Sequence, residues 1–408
     1  MKILFVLPRI PWPLHDGGAV ATYQQMRYLR RAGHHITVLA LNPVKFRQDP
    51  SVLEGVADRI ITVDIDTTPK PLAALRYFFS NPPYKYRRFF SEEMASKLEE
   101  ILWEAFEAGD LLDAVVLDQT PMVLYAETAV LMCNIPVVHR NHNVEYTLLE
   151  RLALNSSSPL MSWYLQRNLR NTRRMERECY SNLDGIIPMT EPDAERIRAL
   201  GVNVPMRPIP LGVDLEAFKQ PENVNPRPNS LFYLGSFDWT PNSGAVHWLM
   251  REIWPALKSK FPDLELHIGG KNPDESILAF NNLPDVHVHP NVPSAPDFLH
   301  AYDIMLAPLR IGGGMRVKVV EAMAASKAII STTIGAEGIN YTDGQDILIA
   351  DTPARFVEAI DRLRGDAEYK RSIEAAARRT AVAKYSWEVI MRDFADFLQE
   401  SIDNYGKN

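Results

Sequence analysis

Short apolar segments, each long enough for one buried strand, recur along the whole 408-residue chain. In the first half they occupy residues 3–7, 36–41, 60–65, 114–117, 135–138 and 185–187. In the second half they occupy residues 231–234, 264–268, 286–288, 304–307, 328–331 and 347–350. Apolar strands separated by helix-like segments are typical of parallel sheets that are covered by helices on both faces. The pattern predicts an α/β protein with two doubly wound, Rossmann-like sheets.

A proline-rich segment at residues 201–227 separates the two series of strands and has the composition of a linker. We therefore expect an N-terminal domain over residues 1–205 and a C-terminal domain over residues 206–385. Ser386 is suited to cap a final helix. Residues 386–408 are expected to return to the N-terminal domain and pack on it.

Composition excludes several classes of protein. The formal net charge of −7 argues against a general affinity for nucleic acid. Cys133 and Cys179 lie far apart, which indicates neither a disulfide framework nor a cysteine zinc site. The chain opens with a short apolar run and prolines instead of a secretory signal, and no stretch has the roughly 18 apolar residues of a spanning helix. We expect a cytoplasmic protein whose only membrane contact is peripheral.

Three consecutive glycines, Gly312, Gly313 and Gly314, join a predicted strand to a predicted helix. Backbone N–H groups at such a helix start are free to bind an anion, and phosphate is the natural ligand. The surrounding cations are Arg310, Arg316 and Lys318. Glu321, one turn into the helix, is placed to accept hydrogen bonds from a ribose diol. The alternative is a solvated glycine turn, but the strand-turn-helix context with three cations favours a phosphate site.

The segment that starts at Lys318 and Glu321 and continues to Gly335, Glu337 and Gly338 resembles the donor-site signature of family 4 retaining glycosyltransferases. Residues 7–18 resemble the first glycine loop of that family, and residues 385–388 resemble the motif before its closing helix. The resemblance covers nearly the whole chain. It implies the GT-B fold, in which two Rossmann-like domains face a central cleft and a C-terminal helix crosses over. It also implies transfer of a sugar from a nucleotide donor, with retention and without a metal or other cofactor.

The resemblance assigns roles to individual residues and shows two departures. Glu321 matches the second Glu of the family's Glu-x7-Glu pair, which holds the donor ribose. Gly313 stands at the position of the first Glu, as in a subgroup of the family, which leaves contacts with the sugar to the backbone amides of Gly314 and Met315. Many relatives also carry an Arg and a Lys where this chain has residues 235–242.

No cation lies in that segment. A leaving diphosphate still needs compensating charge, since electrostatic stabilisation is usually the largest catalytic contribution. Arg316 and Lys318 are therefore the candidate catalytic cations, and Asn242 is expected to donate a neutral hydrogen bond. The loop that begins at His289 is expected to contact the base.

In the first half, Asp16, Gly17 and Gly18 join the first strand to the first helix and form a second candidate loop for phosphate or acceptor. His139 and His142 follow the fifth strand, at the sheet edge where ligands of wound α/β folds bind. No third ligand accompanies them, which argues against a metal site. The resemblance favours His142 as the residue near the reacting sugar, with His139 as the alternative.

Basic residues recur at helical spacing with aromatic residues just before them, at Arg167, Arg170, Arg173, Arg174 and Arg177. They form either a surface for an anionic bilayer at the inner face of the membrane or a solvated face paired with Glu176 and Glu178.

We expect a retaining glycosyltransferase whose partners are a nucleotide-sugar donor and a glycan or lipid-linked acceptor, in cell-surface polysaccharide synthesis. A non-hydrolysing nucleotide-sugar epimerase and a catalytically silent binding protein are the alternatives. A dehydrogenase is disfavoured because prolines replace the glycine fingerprint after the first strand.

Overall fold

The computed structural model describes residues 1–14, 17–77, 80–132, 134–154, 156, 158–221, 224–312 and 314–407. The chain forms two compact units, one of Met1–Leu211 with Ile390–Asn408 and the other of Gly212–Val389. The predicted divisions lie after residues 205 and 385.

The N-terminal unit contains a parallel sheet with the strand order β3-β2-β1-β4-β5-β6. Its strands are β1 (Lys2–Leu7), β2 (His35–Pro43), β3 (Arg59–Ile65), β4 (Ala114–Asp118), β5 (Val137–Asn141) and β6 (Gly185–Pro188). The helices are α1 (Gly17–Arg31), α2 (Pro71–Arg76), α3 (Tyr84–Arg87), α4 (Glu92–Glu107), α5 (Ala126–Met132), α6 (Glu145–Leu154), α7 (Pro159–Tyr180) and α8 (Glu191–Ala199).

The C-terminal unit repeats the arrangement, with the parallel order β12-β11-β10-β7-β8-β9. Its strands are β7 (Arg227–Leu234), β8 (Glu265–Gly270), β9 (Val286–Pro290), β10 (Tyr302–Ala307), β11 (Ala328–Ser331) and β12 (Leu348–Ile349). The helices are α9 (Thr240–Trp248), α10 (Trp254–Lys260), α11 (Glu275–Leu278), α12 (Ala295–Ala301), α13 (Val317–Ala324), α14 (Pro353–Gly365) and α15 (Ala367–Tyr385), and the last helix of the chain is α16 (Trp387–Asn404). The predicted fold of two doubly wound sheets is confirmed.

Each sheet has its own apolar core, because its central strands are buried on both faces. In β1, residues 3–7 are fully buried, and the same holds for residues 305–307 of β10. The final helix α16 begins in the C-terminal unit, and from Ile390 onward it belongs to the N-terminal unit. No helix in the described part of the chain is long and apolar enough to span a bilayer.

The strand order creates a switch point in each sheet, between β1 and β4 and between β7 and β10. The chain leaves these neighbouring strands in opposite directions, and ligands of doubly wound folds bind in the resulting crevice beyond the carboxyl ends. Candidate ligand-binding residues therefore lie at or after Leu7 and Asp118 in one unit and Leu234 and Ala307 in the other.

A close backbone crossing beside the second switch point yields a stability prediction. A Cβ atom on Gly270 would lie 1.8 Å from the carbonyl oxygen of Gly235. Gly270→Ala must therefore move backbone, and we expect it to lower the free energy of unfolding by about 1–3 kcal/mol or more. Gly244, exposed in α9 with no atom within 4 Å of its Cβ position, supplies the matched control.

Gly244→Ala is expected to stabilise the chain by up to about 1 kcal/mol, because alanine favours a helix over glycine. Urea unfolding of both variants measures the difference. Equal midpoints for Gly270→Ala and Gly244→Ala would contradict the close crossing.

Candidate active site

The turn before α13 is organised by Arg316, which is almost fully buried. Its Nη1 donates to the carbonyl oxygen of Gly314 at 2.8 Å, and its guanidinium lies 5.2 Å from the centre of the Trp239 ring. A Cβ atom on Gly312 would lie 2.2 Å from Arg316 Nη2, so a side chain there would displace the guanidinium. Gly314 has φ of +69°, which glycine adopts without strain. Gly313 lies outside the described residues.

Lys318, in the first turn of α13, reaches across the switch point to the turn after β7. Its Nζ donates to the hydroxyl of Tyr233 and to Oδ1 of Asn242, each at 2.9 Å. The same Nζ lies 3.0 Å from the point that a Cβ atom on Gly235 would occupy. The segment 235–242 contains no cation of its own, but Lys318 places an ammonium group against it.

Asn242 is fixed in this group by two further hydrogen bonds. Its Nδ2 donates to the carbonyl oxygen of Ser236 at 2.6 Å, and its Oδ1 accepts from the Tyr233 hydroxyl at 2.8 Å. The amide is therefore oriented with its oxygen toward Lys318. Asn242 thus helps to hold the ammonium group, and its predicted hydrogen bond to the donor stays a prediction.

Lys318 and Glu321 lie one turn apart on α13. Burial changes the pKa of each residue more than the charge of the other residue does. Burial lowers the pKa of Lys318 to about 7, with Arg316 acting in the same direction and Glu321 against it. Burial also raises the pKa of Glu321 to about 7, against the effect of Lys318. No hydrogen bond from a described residue contributes to the Glu321 shift. Its carboxyl oxygens can therefore accept from a ligand.

The remaining predicted donor residues, Arg310, Met315 and His289, have contacts of their own. The Arg310 guanidinium is exposed and lies 5.3 Å from the centre of the Trp248 ring. Met315 is partly buried and packs against the apolar core. His289 contacts His267 and the Tyr302 hydroxyl through its Nε2, at 3.1 Å and 3.3 Å, on the face of the sheet that carries Phe298. None of these contacts joins His289 to Lys318, Asn242 or Glu321.

In the N-terminal unit, Asp118 lies at the end of β4 and is fully buried. Its Oδ1 lies 2.8 Å from His142 Nε2, and its Oδ2 accepts from the Thr22 hydroxyl at 2.6 Å. Burial acts to raise the pKa of the Asp118 carboxyl, but His142 and the hydrogen bond from Thr22 hold it below its usual value. Asp118 is therefore an ionised carboxylate that orients an imidazole.

The predicted glycine loop lies close to this pair. Gly17 and Gly18 open α1, and the carbonyl oxygen of Gly18 lies 3.0 Å from the Thr22 hydroxyl. Thr22 thereby joins the first turn of α1 to Asp118. Asp16, the third predicted residue of this loop, lies outside the described residues.

His139 and His142 have different environments. The His139 side chain is fully buried within the sheet, with Nδ1 2.8 Å from the carbonyl oxygen of Leu117, and burial lowers its pKa to about 4. The His142 side chain is 11% exposed and lines a cavity of about 190 Å³ whose other lining residues include Gln119 and Thr120. His142 can contact a ligand, whereas His139 is part of the core.

The backbone shortly after His142, at the start of α6, is held by a side chain from α7. The buried carboxyl of Glu176 accepts from the backbone N–H groups of Glu145 at 2.8 Å and Tyr146 at 3.2 Å, at the start of α6. Burial raises the pKa of Glu176 to about 8, although these hydrogen bonds oppose the shift. One of the two alternatives for the arginines of α7 was a solvated face paired with Glu176 and Glu178. Glu178 pairs with Arg174 at 2.7 Å, whereas Glu176 caps α6.

Asp118 was missed because the fourth predicted strand was ended at Leu117, the last apolar residue. A carboxylate that immediately follows a strand next to the switch point is the signal that identifies it.

Two Rossmann-like units, each with polar groups at its switch point, define a GT-B protein. The chain matches two family models, Glycosyl transferase 4-like domain over residues 16–212 and Glycosyl transferases group 1 over residues 228–366. Together these matches span most of the chain, and the protein is a glycosyltransferase of the GT-B type.

Individual relatives are distant. An uncharacterized 44.6 kDa protein in the cps region of Klebsiella pneumoniae is 20% identical, over 88% of this chain and 90% of that protein. The phosphatidyl-myo-inositol mannosyltransferase of Mycobacterium tuberculosis is 26% identical, over 45% of this chain and 50% of the enzyme. Among solved structures, Anabaena HepE in complex with UDP superposes with a TM-score of 0.68 at 14% identity, over 98% of this chain and 100% of HepE.

Proposed function

We propose that the protein transfers a sugar from a nucleoside diphosphate sugar to a glycan or lipid-linked acceptor with retention of anomeric configuration. The observation that carries the proposal is the Lys318 ammonium, held by Tyr233 and Asn242 beside Gly235 at the switch point of the C-terminal sheet. A cation enclosed at a strand end, next to glycines and a helix N-terminus, is suited to a diphosphate. HepE, with the same fold, has been solved with UDP and with UDP-glucose.

In the C-terminal unit we propose the following roles. Lys318 binds the diphosphate and stabilises the charge that develops as the bond from phosphate to the anomeric carbon breaks. The Glu321 carboxyl accepts hydrogen bonds from the ribose diol. The backbone amides of Gly314 and Met315 contact the sugar, and Arg316 supports that turn through Gly314.

In the N-terminal unit we propose that His142 binds and orients the acceptor. Asp118 holds the imidazole through Nε2, so that Nδ1 is the nitrogen available to a ligand. In the proposed reaction the acceptor oxygen attacks the anomeric carbon on the face from which the diphosphate leaves. The acceptor proton passes to the departing phosphate oxygen. No metal or other cofactor is required, because Lys318 and the helix amides supply the positive charge.

A panel of UDP, GDP and ADP sugars tests the proposal. A donor at a hundred times its dissociation constant stabilises the protein by roughly 2.7 kcal/mol, which a thermal-shift assay detects. The stabilising donor is then incubated with glycan and lipid-linked acceptors in EDTA, and NMR of the product reports the anomeric configuration. Stabilisation by no donor, or an inverted product, contradicts the proposal. Conversion of the donor sugar without an acceptor indicates an epimerase instead.

We further propose a role in cell-surface polysaccharide synthesis at the inner face of the membrane. The relative in the cps region supports this context. The start of α7 supports the membrane contact, since Leu160 and Trp163 are 75% and 55% exposed there and Met161 is also exposed. Arg170 and Arg177 are exposed farther along the same helix. Apolar and aromatic residues next to arginines are suited to an anionic bilayer.

Vesicle sedimentation checks this surface. Replacing Leu160 and Trp163 together by serine is expected to weaken binding to anionic vesicles by roughly tenfold or more, because their apolar area no longer enters the interface. The matched control replaces Trp103 and Phe106 by serine, since both are exposed on α4. Equal losses for the two pairs, or equal binding to neutral vesicles, contradict a specific membrane face.

A further inference from the structure

Three side chains of types that can ligate a metal lie together on β8 and β9, separate from the Lys318 group. Glu265 and His267 are two residues apart on β8 and therefore project from the same face of the sheet. His287 is the register partner of His267 on β9 and shares that face. The ligand atoms of these three residues all lie within 4.8 Å of one another. Glu265 Oε2 is 3.5 Å from His267 Nε2 and 4.0 Å from His287 Nε2.

His267 carries an unsatisfied polar atom at the centre of this group. Its side chain is 3% exposed, and its Nε2 is buried with no hydrogen-bond partner among the described residues. Its other nitrogen, Nδ1, lies 3.1 Å from His289 Nε2, which is also 3.3 Å from the Tyr302 hydroxyl. When His289 Nε2 accepts from both neighbours, His267 carries its proton on Nδ1. The lone pair of His267 Nε2 then faces the Glu265 carboxylate.

Glu265 Oε2 and His267 Nε2 are buried hydrogen-bond acceptors that face each other, and a cation between them would stabilise both. We propose that Glu265, His267 and His287 bind a divalent transition metal, with zinc as the best match for one carboxylate and two imidazoles. Tetrahedral zinc with bonds of about 2.0–2.2 Å separates its ligand atoms by about 3.3–3.5 Å. Glu265 Oε2 lies 3.5 and 4.0 Å from the two histidine Nε2 atoms, close to that separation. The rings of His267 and His287 are stacked with their centres 4.8 Å apart, so the more exposed His287 ring turns when the ion binds, until both lone pairs point at it. Water completes the fourth position.

Neighbouring residues orient the ligands as outer-sphere partners do in metal sites. His289 holds His267 in the metal-binding tautomer. Arg227 Nη2 donates to Glu265 Oε1 at 2.8 Å, and its Nε lies 2.7 Å from Oε2. Each carboxylate oxygen has two lone pairs, so Oε2 can bind a metal while it contacts Arg227. The His287 side chain is partly exposed, which gives the ion a route from solvent. The metal thereby pins edge strand β9 to β8 and takes no part in sugar transfer.

Zinc titration of the chelator-treated, full-length protein tests the site, with calorimetry and metal analysis as readouts. Wild type is expected to bind one equivalent of Zn²⁺ in this group and to melt at a higher temperature when loaded. His287→Ala is expected to bind it at least roughly tenfold more weakly, since loss of an outer-sphere partner alone costs about 10- to 100-fold. His35→Ala removes an exposed histidine from β2 and serves as the matched control.

Glu265→Gln provides a second variant, because the amide keeps an oxygen for Arg227 but binds metal poorly. Weaker Zn²⁺ binding in Glu265→Gln and His287→Ala, with unchanged binding in His35→Ala, supports the site. Binding in His287→Ala as tight as in wild type overturns the proposal. So does a wild-type protein that binds no more Zn²⁺ than either ligand variant.

Discussion

Lys318→Met is expected to lower kcat/KM for the nucleotide-sugar donor by roughly 10²- to 10³-fold, the usual effect of removing one group that stabilises developing charge. The fold should survive the change. Tyr233 and Asn242 keep their own 2.8 Å hydrogen bond when the lysine is gone, and methionine fills most of the vacated volume. The loss is therefore expected in donor binding and turnover, measured by calorimetry with the donor and by initial rates.

The matched control is Lys260→Met, which also removes one positive charge from the C-terminal unit. Lys260 forms an exposed ion pair with Asp361 at 2.7 Å, and such surface pairs contribute about 0–1 kcal/mol. We expect this control to retain donor affinity and rate within a few-fold. A Lys318→Met protein that is as active as the control would rule out the assigned phosphate site.

The depressed pKa of Lys318 gives the same prediction a second readout. Free Lys318, with a pKa of about 7, is mostly neutral at pH 8. A bound diphosphate favours the ammonium form, so donor binding at pH 8 should take up close to one proton. Donor affinity should accordingly fall by up to about tenfold per pH unit above pH 7. Calorimetry in two buffers of different ionisation enthalpy measures the uptake, which Lys318→Met should abolish.

The fold could be predicted from sequence because its strands are buried on both faces. The segments Lys2–Leu7 and Tyr302–Ala307 consist almost wholly of apolar residues, which is the signal that a covered parallel strand leaves. The doubly wound order follows from alternation of strand and helix. Asp118 shows the limit of this approach, because a buried carboxylate ends the apolar run although the strand continues through it.

The contacts of the candidate site depend on distant parts of the chain. Lys318 was predicted as a phosphate ligand from its place beside three glycines, but its partners Tyr233 and Asn242 come from 85 and 76 residues away. No local sequence pattern indicates contacts between residues so far apart in the chain. His142 was favoured over His139 only by the family resemblance, and the two differ in the structure because His139 lies inside β5 whereas His142 follows its end. Which residue ends the strand decides which imidazole is accessible.

Asp118→Asn is expected to lower kcat by roughly 10²-fold, the cost of misplacing a group that orients a reactant, while donor affinity stays within a few-fold of wild type. The asparagine amide keeps the volume and the bond to Thr22. The amide carries no negative charge, so it holds His142 less firmly through the 2.8 Å contact with Nε2. Asp118 acts through His142, so its loss should also shift the pH dependence of kcat, and Asp118→Asn with His142→Ala together should cost little more than either alone.

Asp113→Asn is the matched control, since Asp113 directly precedes β4 at the opposite end of the same strand. Its Oδ2 accepts from the backbone N–H of Lys2 at 2.6 Å, at the end of β4 opposite to Asp118. A purely structural role for Asp118 predicts that the two variants lose similar stability and similar activity. A role in orienting His142 predicts that only Asp118→Asn changes kcat and its pH profile. Additive losses in the Asp118 and His142 double variant would show that the two residues act independently, contrary to the pairing proposed.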